Sequence, residues 1–290
     1  MKNLLVFLFI ITSCLFFGQS DVYFGKKPLV GAEIILENGD IKTGFLQDFK
    51  IARYLNSDLQ SITSIEKRLD YDTKEFKFKE NVNSPIQKIN IADVKRIVIL
   101  NTDGSERLVY DKMKLKTVNS KHEVVDLNKT VILPLEQEGK LNLYGITLML
   151  YSTNSTQFGV TTKGSYATTL FIPYLKHSDS EYAYLPFDIN RMNLFNLGKL
   201  EGKFKIALQE ATKPCPEFQA NIDETMKVFE KPMKKEIKQM YYDKEEKKKQ
   251  IRKATKDKAE EEFLQMKVDA EYGMDPYLNL VDAYNQKCTQ

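Results

Sequence analysis

Histidine and cysteine are scarce in this chain of 290 residues, which holds two of the first and three of the second. His122 and His177 both lie among polar neighbours, a setting that predicts exposed loop positions rather than a catalytic base. The sequence has no H-E-x-x-H, no G-x-S-x-G, no P-loop and no dinucleotide fingerprint, so the activities that those patterns support have no foothold in it. A C-x-x-C redox pair is missing, and cysteines as far apart as Cys215 and Cys288, with no histidine nearby, do not make a zinc site. In the run H-S-D-S-E, His177, Asp179 and Glu181 alternate and would share one strand face, where they could meet a divalent ion. A solvated polar face accounts for the same spacing. No catalytic residue, cofactor or metal is therefore expected.

An excess of one charge is also missing. Setting aside a leader whose only charged residue is Lys2 leaves 42 basic and 40 acidic side chains, too balanced to predict nucleic acid as a partner. Long apolar runs are absent except at the start, "MKNLLVFLFIITSCLFFGQS", where one lysine precedes an uncharged stretch from 4 to 17. That is the layout of a signal peptide. The stretch is shorter than the roughly 18 apolar residues that span a bilayer, so export without a transmembrane span in the mature chain is expected. Residues 1–19 form the expected leader, although Phe17 and Gln19 break the small-x-small rule for a cut after Gln19. The alternative is a lipobox in "ITSC" with Cys14 acylated, against which stands "LFFGQ" in the place of a polar tether. An uncleaved anchor is the third reading.

What is present is the composition of a folding chain, 42% hydrophobic and 29% charged with only nine prolines and thirteen glycines. Residues 20–116 read as strands and tight turns. In "AEIILENGDIKTGFLQDF", Ile34 and Leu36 alternate before an Asn38-Gly39 turn, and Ile41, Thr43 and Phe45 alternate after it. "KEFKFKE" and "IQKINIADVKRIVIL" follow, with a second hairpin at Asp103-Gly104. The order resembles small SH3-like or Sm-like barrels, which constrains fold more than function. A second antiparallel β region is expected over 117–195. There Leu141 and Leu143 alternate, then Ile146, Leu148 and Leu150 in the opposite phase, which predicts a bulge at Tyr144-Gly145. The S-x-x-K of Ser64 and Lys67 follows the K-T-G at 42–44 with no S-D-N between, the wrong arrangement for a penicillin-binding enzyme. The sequons Asn128-Lys129-Thr130 and Asn154-Ser155-Thr156 matter only in a host that glycosylates them.

Residues 196–290 turn helical. After Pro214, "CPEFQANIDETMKVFEK" predicts a helix with Pro216 in its first turn and Cys215, Phe218, Ile222, Met226 and Phe229 on one face. "DPYLNLVDAYNQKC" predicts another, with Asp275 as N-cap, Pro276 at the first position, and Tyr277, Val281, Tyr284 and Cys288 on one stripe. Two thiols on buried-type faces, an even number in an oxidising compartment, predict a Cys215–Cys288 disulfide. Between them charged residues dominate from Lys227 to Glu262, with Asp243–Lys247 and Glu245–Lys249 in the favourable i, i+4 order. This predicts a long solvated helix restarted near Pro232 and projecting from the body. Its basic cluster Lys247, Lys248, Lys249, Arg252 and Lys253 is a candidate contact for anionic lipid or another polyanion, weakened by neighbouring acids.

The leader ending "LFFGQ", with "GDIKTGFL", "GKLNLYG", "CPEFQANI" and "LVDAYNQKC", resembles a loose group of exported flavobacterial proteins. In that group a β-rich region precedes a helical tail with a Cys-Pro-like element and a final Tyr-Asn. The resemblance spans most of the chain and implies no catalytic residue. The charged insertion between the cysteine helices departs from the group. The missing terminal β-sandwich, which carries many proteins of such bacteria across the outer membrane, leads us to expect retention in the periplasm. The expected protein is α+β, with small barrel-like antiparallel β modules followed by a helical subdomain closed by a disulfide. It is expected to act without catalysis on a protein or cell-envelope component. A hydrolase built from scattered acids and a small-ligand or lipid carrier are the alternatives.

Overall fold

Alternating apolar residues on either side of Asn38-Gly39 form the first hairpin, β1 (Lys27–Leu36) and β2 (Ile41–Phe49), with Ile35 opposite Ile41. The Asn38 side chain accepts the Asp40 N–H at 3.0 Å and Gly39 adopts φ 91°, a left-handed conformation that glycine takes without strain. The further strands are β3 (Tyr54–Asp58), β4 (Glu75–Lys79), β5 (Gln87–Asn90), β6 (Val94–Leu100), β7 (Arg107–Val118), β8 (Val124–Gln137), β9 (Leu141–Tyr151), β10 (Thr156–Gln157), β11 (Val160–Thr161), β12 (Tyr166–His177) and β13 (Tyr182–Leu185). The helices are α1 (Leu200–Ala211), α2 (Pro216–Ala220), α3 (Ile222–Glu230), α4 (Lys234–Ala254) and α5 (Lys258–Lys287). This computed structural model describes residues 27–51, 53–58, 71–100, 107–151, 156–157, 160–161, 166–186, 200–230 and 234–288. The leader with Cys14, and Ser64, Lys67, Asp103-Gly104, Asn154, Ser155 and Pro232, lie outside the described residues.

The N-terminal strands stand in the order β6-β1-β2-β4-β5. Their inward residues, among them Val30, Ala32, Ile34, Leu46, Phe76, Phe78, Ile89 and Ile97, form one core. A 3-10 turn over Ile91–Asp93 joins β5 to β6, and the Asn90 side chain caps it by accepting the Ala92 N–H at 2.8 Å.

A second core lies inside a closed ring, β7-β8-β9-β12-β13, completed by β13 on β7. Five strands running alternately up and down leave the first and last parallel, and β13 and β7 pair in that sense. The interior is filled by side chains that include Met113, Leu115, Val131, Leu133, Tyr144, Ile146, Leu148, Ile172, Tyr174 and Leu185. Even eight-stranded barrels are only just wide enough to hold their own side chains or one small ligand. β7 serves both cores, with Leu108 and Tyr110 facing the first and Met113 and Leu115 the second. The expected boundary between 116 and 117 therefore falls within a strand.

The bulge expected at Tyr144-Gly145 is not there. β9 pairs with β12 without interruption from Leu141–His177 to Leu150–Thr168. Leu141 and Leu143 face the helices while Tyr144, Ile146 and Leu148 face the barrel interior. Both faces are buried, so apolar residues appear in both phases of one regular strand. Gly145 fits because the Phe171 ring lies where a Cβ would stand. The irregularity sits on β8 instead, where Glu136 is extra between Leu135 opposite Tyr144 and Gln137 opposite Leu143. Beyond that point β3 takes over as a parallel neighbour of β9, from Tyr54–Thr147 to Asp58–Tyr151. Arg53 secures the exchange: its carbonyl accepts the Thr147 N–H at 2.9 Å and its guanidinium donates through Nε and Nη2 to the two oxygens of the buried Glu136 carboxylate.

Helices cover the outer face of β9 and β12. Phe204, Leu208 and Ala211 of α1, Phe218 of α2, Ile222 and Met226 of α3, and Leu280, Val281 and Tyr284 of α5 close over Leu141, Leu143, Phe171 and Leu175. Further along α5, Met266 and Ala270 pack on Tyr54 and Met149. The helix boundaries correct three expectations. The segment after Cys215 is two short helices parted at Asn221, whose side-chain amide donates to the Glu217 carbonyl at 3.0 Å. Helix α5 does not start at Asp275. It is capped by Asp257, which accepts the Glu260 N–H at 2.9 Å, and it runs on through Pro276. Burial of the stripe on both sides of Pro276 outweighs the one hydrogen bond that proline cannot give. The charged stretch is not one projecting helix either. It breaks at 255–257, and α4 folds back on α5, where Asp269 takes Lys244 at 3.3 Å and Lys248 at 2.7 Å.

Candidate functional site

Three places bring chemistry-bearing side chains together. The first is the end of the chain. Cys215, the N-cap of α2, and Cys288, the C-cap of α5, are joined across a sequence separation of 73 with Cα atoms 6.0 Å apart. Beside them Tyr284 is buried with its ring 5.0 Å from Phe218 and 6.3 Å from His177. The Asn285 amide binds the Leu141 backbone twice, accepting its N–H at 2.8 Å and donating to its carbonyl at 3.1 Å. The chain end is thus held covalently, by burial and by a strand-like pair of hydrogen bonds.

His177 belongs to this contact and not to an exposed loop as expected. Its side chain is 8% exposed, and its Nδ1 accepts the Asp179 N–H at 3.3 Å. Burial pulls its pKa below the ordinary histidine value, aided by Lys140 and Lys176 and opposed by Asp179. H-S-D-S-E forms the turn between β12 and β13, in which Glu181 is drawn to Lys114 at 2.9 Å. Among the described residues no group of three metal-ligating side chains forms. His122 does lie in an exposed turn, with φ 62°.

The second place is a polar cluster between the two β modules. The Arg96 guanidinium donates to both oxygens of Asp111, at 2.5 and 2.9 Å, and to Glu138 at 3.2 Å. Tyr144 Oη donates to Asp111 at 2.8 Å, and burial raises its pKa above the phenol range. Acid-base hydrolysis needs one carboxyl free to give a proton and another to take it. Here one arginine is hydrogen-bonded to both carboxylates, so the cluster works as a bolt joining β6 and β7 to β9.

The third place is the end of the N-terminal module formed by the turn before β2 and the turn between β4 and β5. Ile41 is 64% exposed, Val82 53% and Ile86 49%. Continuing the β2–β4 register, Phe45 opposite Lys79, and the β4–β5 register, Phe78 opposite Gln87, places all three at that end. Sequence reasoning missed this grouping. Ile41 looks like a core residue of an alternating strand, and only the tertiary fold shows that its face is left open.

The basic cluster on α4 is largely engaged within the protein. Lys248 is bound to Asp269, Lys247 lies 4.9 Å from the centre of the Tyr272 ring, Arg252 donates to Gln265 at 3.4 Å and Lys249 pairs with Glu246. Among the described residues no helix is long and apolar enough to cross a membrane. Comparison of the chain with protein-family models, with curated proteins and with solved structures finds no match.

Proposed function

We propose that this is a non-enzymatic exported protein, periplasmic or attached to the cell envelope after removal of its leader, whose N-terminal module binds another protein or envelope component. The observation that carries the reading is the exposure of Ile41, Val82 and Ile86 together at one end of that module, because exposed apolar side chains gathered in one place mark contact surfaces more than scattered ones do. The strand order β6-β1-β2-β4-β5, with a 3-10 turn between the last two in sequence, supports an SH3-like reading of the module. The disulfide supports an oxidising compartment. The carrier reading loses support from a barrel interior filled by its own side chains, and the hydrolase reading from carboxylates held by Arg96.

The test is photo-crosslinking in intact cells with a benzophenone amino acid at Val82 and, separately, at the partly exposed Lys203 on α1. A discrete adduct from Val82 that is missing from Lys203 is expected. The same adducts from both positions, or none from Val82, would remove the binding end from the reading.

A further inference from the structure

The exposed end continues into an open strand edge. β5 pairs with β4 on one side, and among the described residues no strand pairs with it on the other. The Ile91 N–H donates to the Lys74 carbonyl at 2.9 Å and continues the β4–β5 ladder. Backbone groups in an antiparallel pair point alternately toward and away from the partner. Ile89 and Gln87 therefore bond to β4, while the N–H and C=O groups of Lys88 and Asn90 point outward. Both side chains are exposed as well, so solvent reaches this edge.

The register also fixes which side chains an added strand would meet. On the outer face Phe45, Lys79 and Ile86 lie in one cross-strand row, and Gln47, Lys77 and Lys88 in the next. Lys77 has Asp48 on its inner flank at 3.1 Å, and Lys88 reaches diagonally across to Glu75 on β4 at 2.7 Å. Directly beside Lys88, in the position of the next strand, no acid stands among the described residues. A neighbour there fits best with an apolar residue beside Ile86 and an acidic residue beside Lys88. A second copy of this chain fits poorly, because antiparallel pairing of two β5 strands through their outward residues sets Lys88 against Lys88 or Asn90 and offers it no acid.

Resting on the reading of this end as the binding end, we propose that β5 recruits an extended segment of another polypeptide by strand addition, one that carries an acidic residue two positions from an apolar one on the same strand face. Backbone hydrogen bonds to Lys88 and Asn90 supply the attachment, and Ile86 and Lys88 supply the selectivity. The short length of β5 and its outward lysine, which guard an edge against indiscriminate pairing, act here as a filter that admits acidic strands.

The probe is an acetylated and amidated seven-residue peptide with glutamate at its centre, valine two positions to either side and threonine elsewhere, titrated into the mature full-length protein while backbone amide signals and hydrogen exchange are followed by NMR. The expected result is slower exchange of the Lys88 and Asn90 amides by about tenfold or more at saturation, the degree that a formed ladder hydrogen bond gives. Replacing the glutamate by lysine in the peptide is expected to weaken binding by about threefold to fivefold through the lost pair with Lys88. Lys88→Pro removes an outward N–H that the β4 ladder does not use, and is expected to abolish the effect where Lys88→Ala keeps it. The exchange pattern of the unaltered protein decides the matter even where a variant fails to fold. Peptide-induced shifts at Ile41 and Val82 with unchanged exchange at Lys88 and Asn90 would overturn strand addition and leave the binding end standing. No response to the peptide at any residue would overturn it too, while crosslinking from Val82 judges the broader reading separately. Concentration-dependent dimerisation lost in Lys88→Pro would replace the foreign strand by a second copy.

Discussion

In the N-terminal module, β2, β4 and β5 bury one face and give the other to water, so Phe76 and Phe78 point inward while Lys77 and Lys79 point out. In the closed barrel, β9 is buried from Leu141 to Met149 on both faces, between the barrel interior and the helices. The first arrangement leaves an edge and an exposed end available for contact. The second spends its apolar surface internally and then secures the cover, with a disulfide, a buried tyrosine and an asparagine bound to the strand backbone. On the proposed reading, the first region binds and the second anchors.

Removing the covalent anchor is the strongest way to break this comparison. The Cys215→Ser/Cys288→Ser double variant is expected to lose about 4 kcal/mol of stability in the chain-entropy model. Urea unfolding measures the loss, and alkylation of both thiols only after reduction, read by intact mass, confirms the bridge. Amide exchange in this variant should quicken in α2, α3 and the end of α5 but not in β1–β2. Quickening of similar size in that hairpin would show that the two regions are not separable.

A deletion on the doubly buried strand comes next. Leu143→Ala should cost about 3 kcal/mol, since Leu143 is fully buried beneath the helices. Gly145→Ala should cost about 2 kcal/mol by pushing the Phe171 ring aside, and Phe171→Leu in the same chain should restore part of it. An unchanged melting temperature for Gly145→Ala would contradict the close contact of strand and ring.

The pH dependence due to His177 is smaller and belongs to the anchoring region. The His177 pKa is lowered on folding, chiefly by burial, so the unfolded chain takes up the proton first as pH falls. The stability due to neutral His177 is complete above the unfolded value of about 6.5 and is lost as pH drops from there through the folded value. Melting temperatures at pH 5 and pH 7.5 should therefore differ less in His177→Asn than in the unaltered protein. The smallest effect is expected at the exposed end, where Ile41→Ser should shift stability by less than about 0.5 kcal/mol yet weaken the crosslink from Val82. A large loss of stability there would place Ile41 in the core rather than at a contact surface.

Local chemistry made part of this legible in advance. The Asn38-Gly39 hairpin follows from turn conformation and alternation within about a dozen residues, and the cysteine pair from its even count and helical spacing. What failed were inferences that needed to know what lies on the other side. Pro276 looks like a helix start when only its neighbours are counted, and His177 looks exposed among Ser178, Asp179 and Ser180. Opposed phases in β9 look like a bulge until two buried faces are seen.

By itself the sequence determined the order of β modules and helices, the tight turns and the candidates for the disulfide, because each depends on contacts short in sequence or on composition. Only the tertiary structure decided that the barrel closes over 107–185, that α4 folds back onto Asp269, that Arg96 ties two carboxylates together, and that Ile41, Val82 and Ile86 share an open end. Burial and exposure are properties of surfaces that meet across the fold, and no residue carries in its own neighbourhood the identity of the distant group that will cover it.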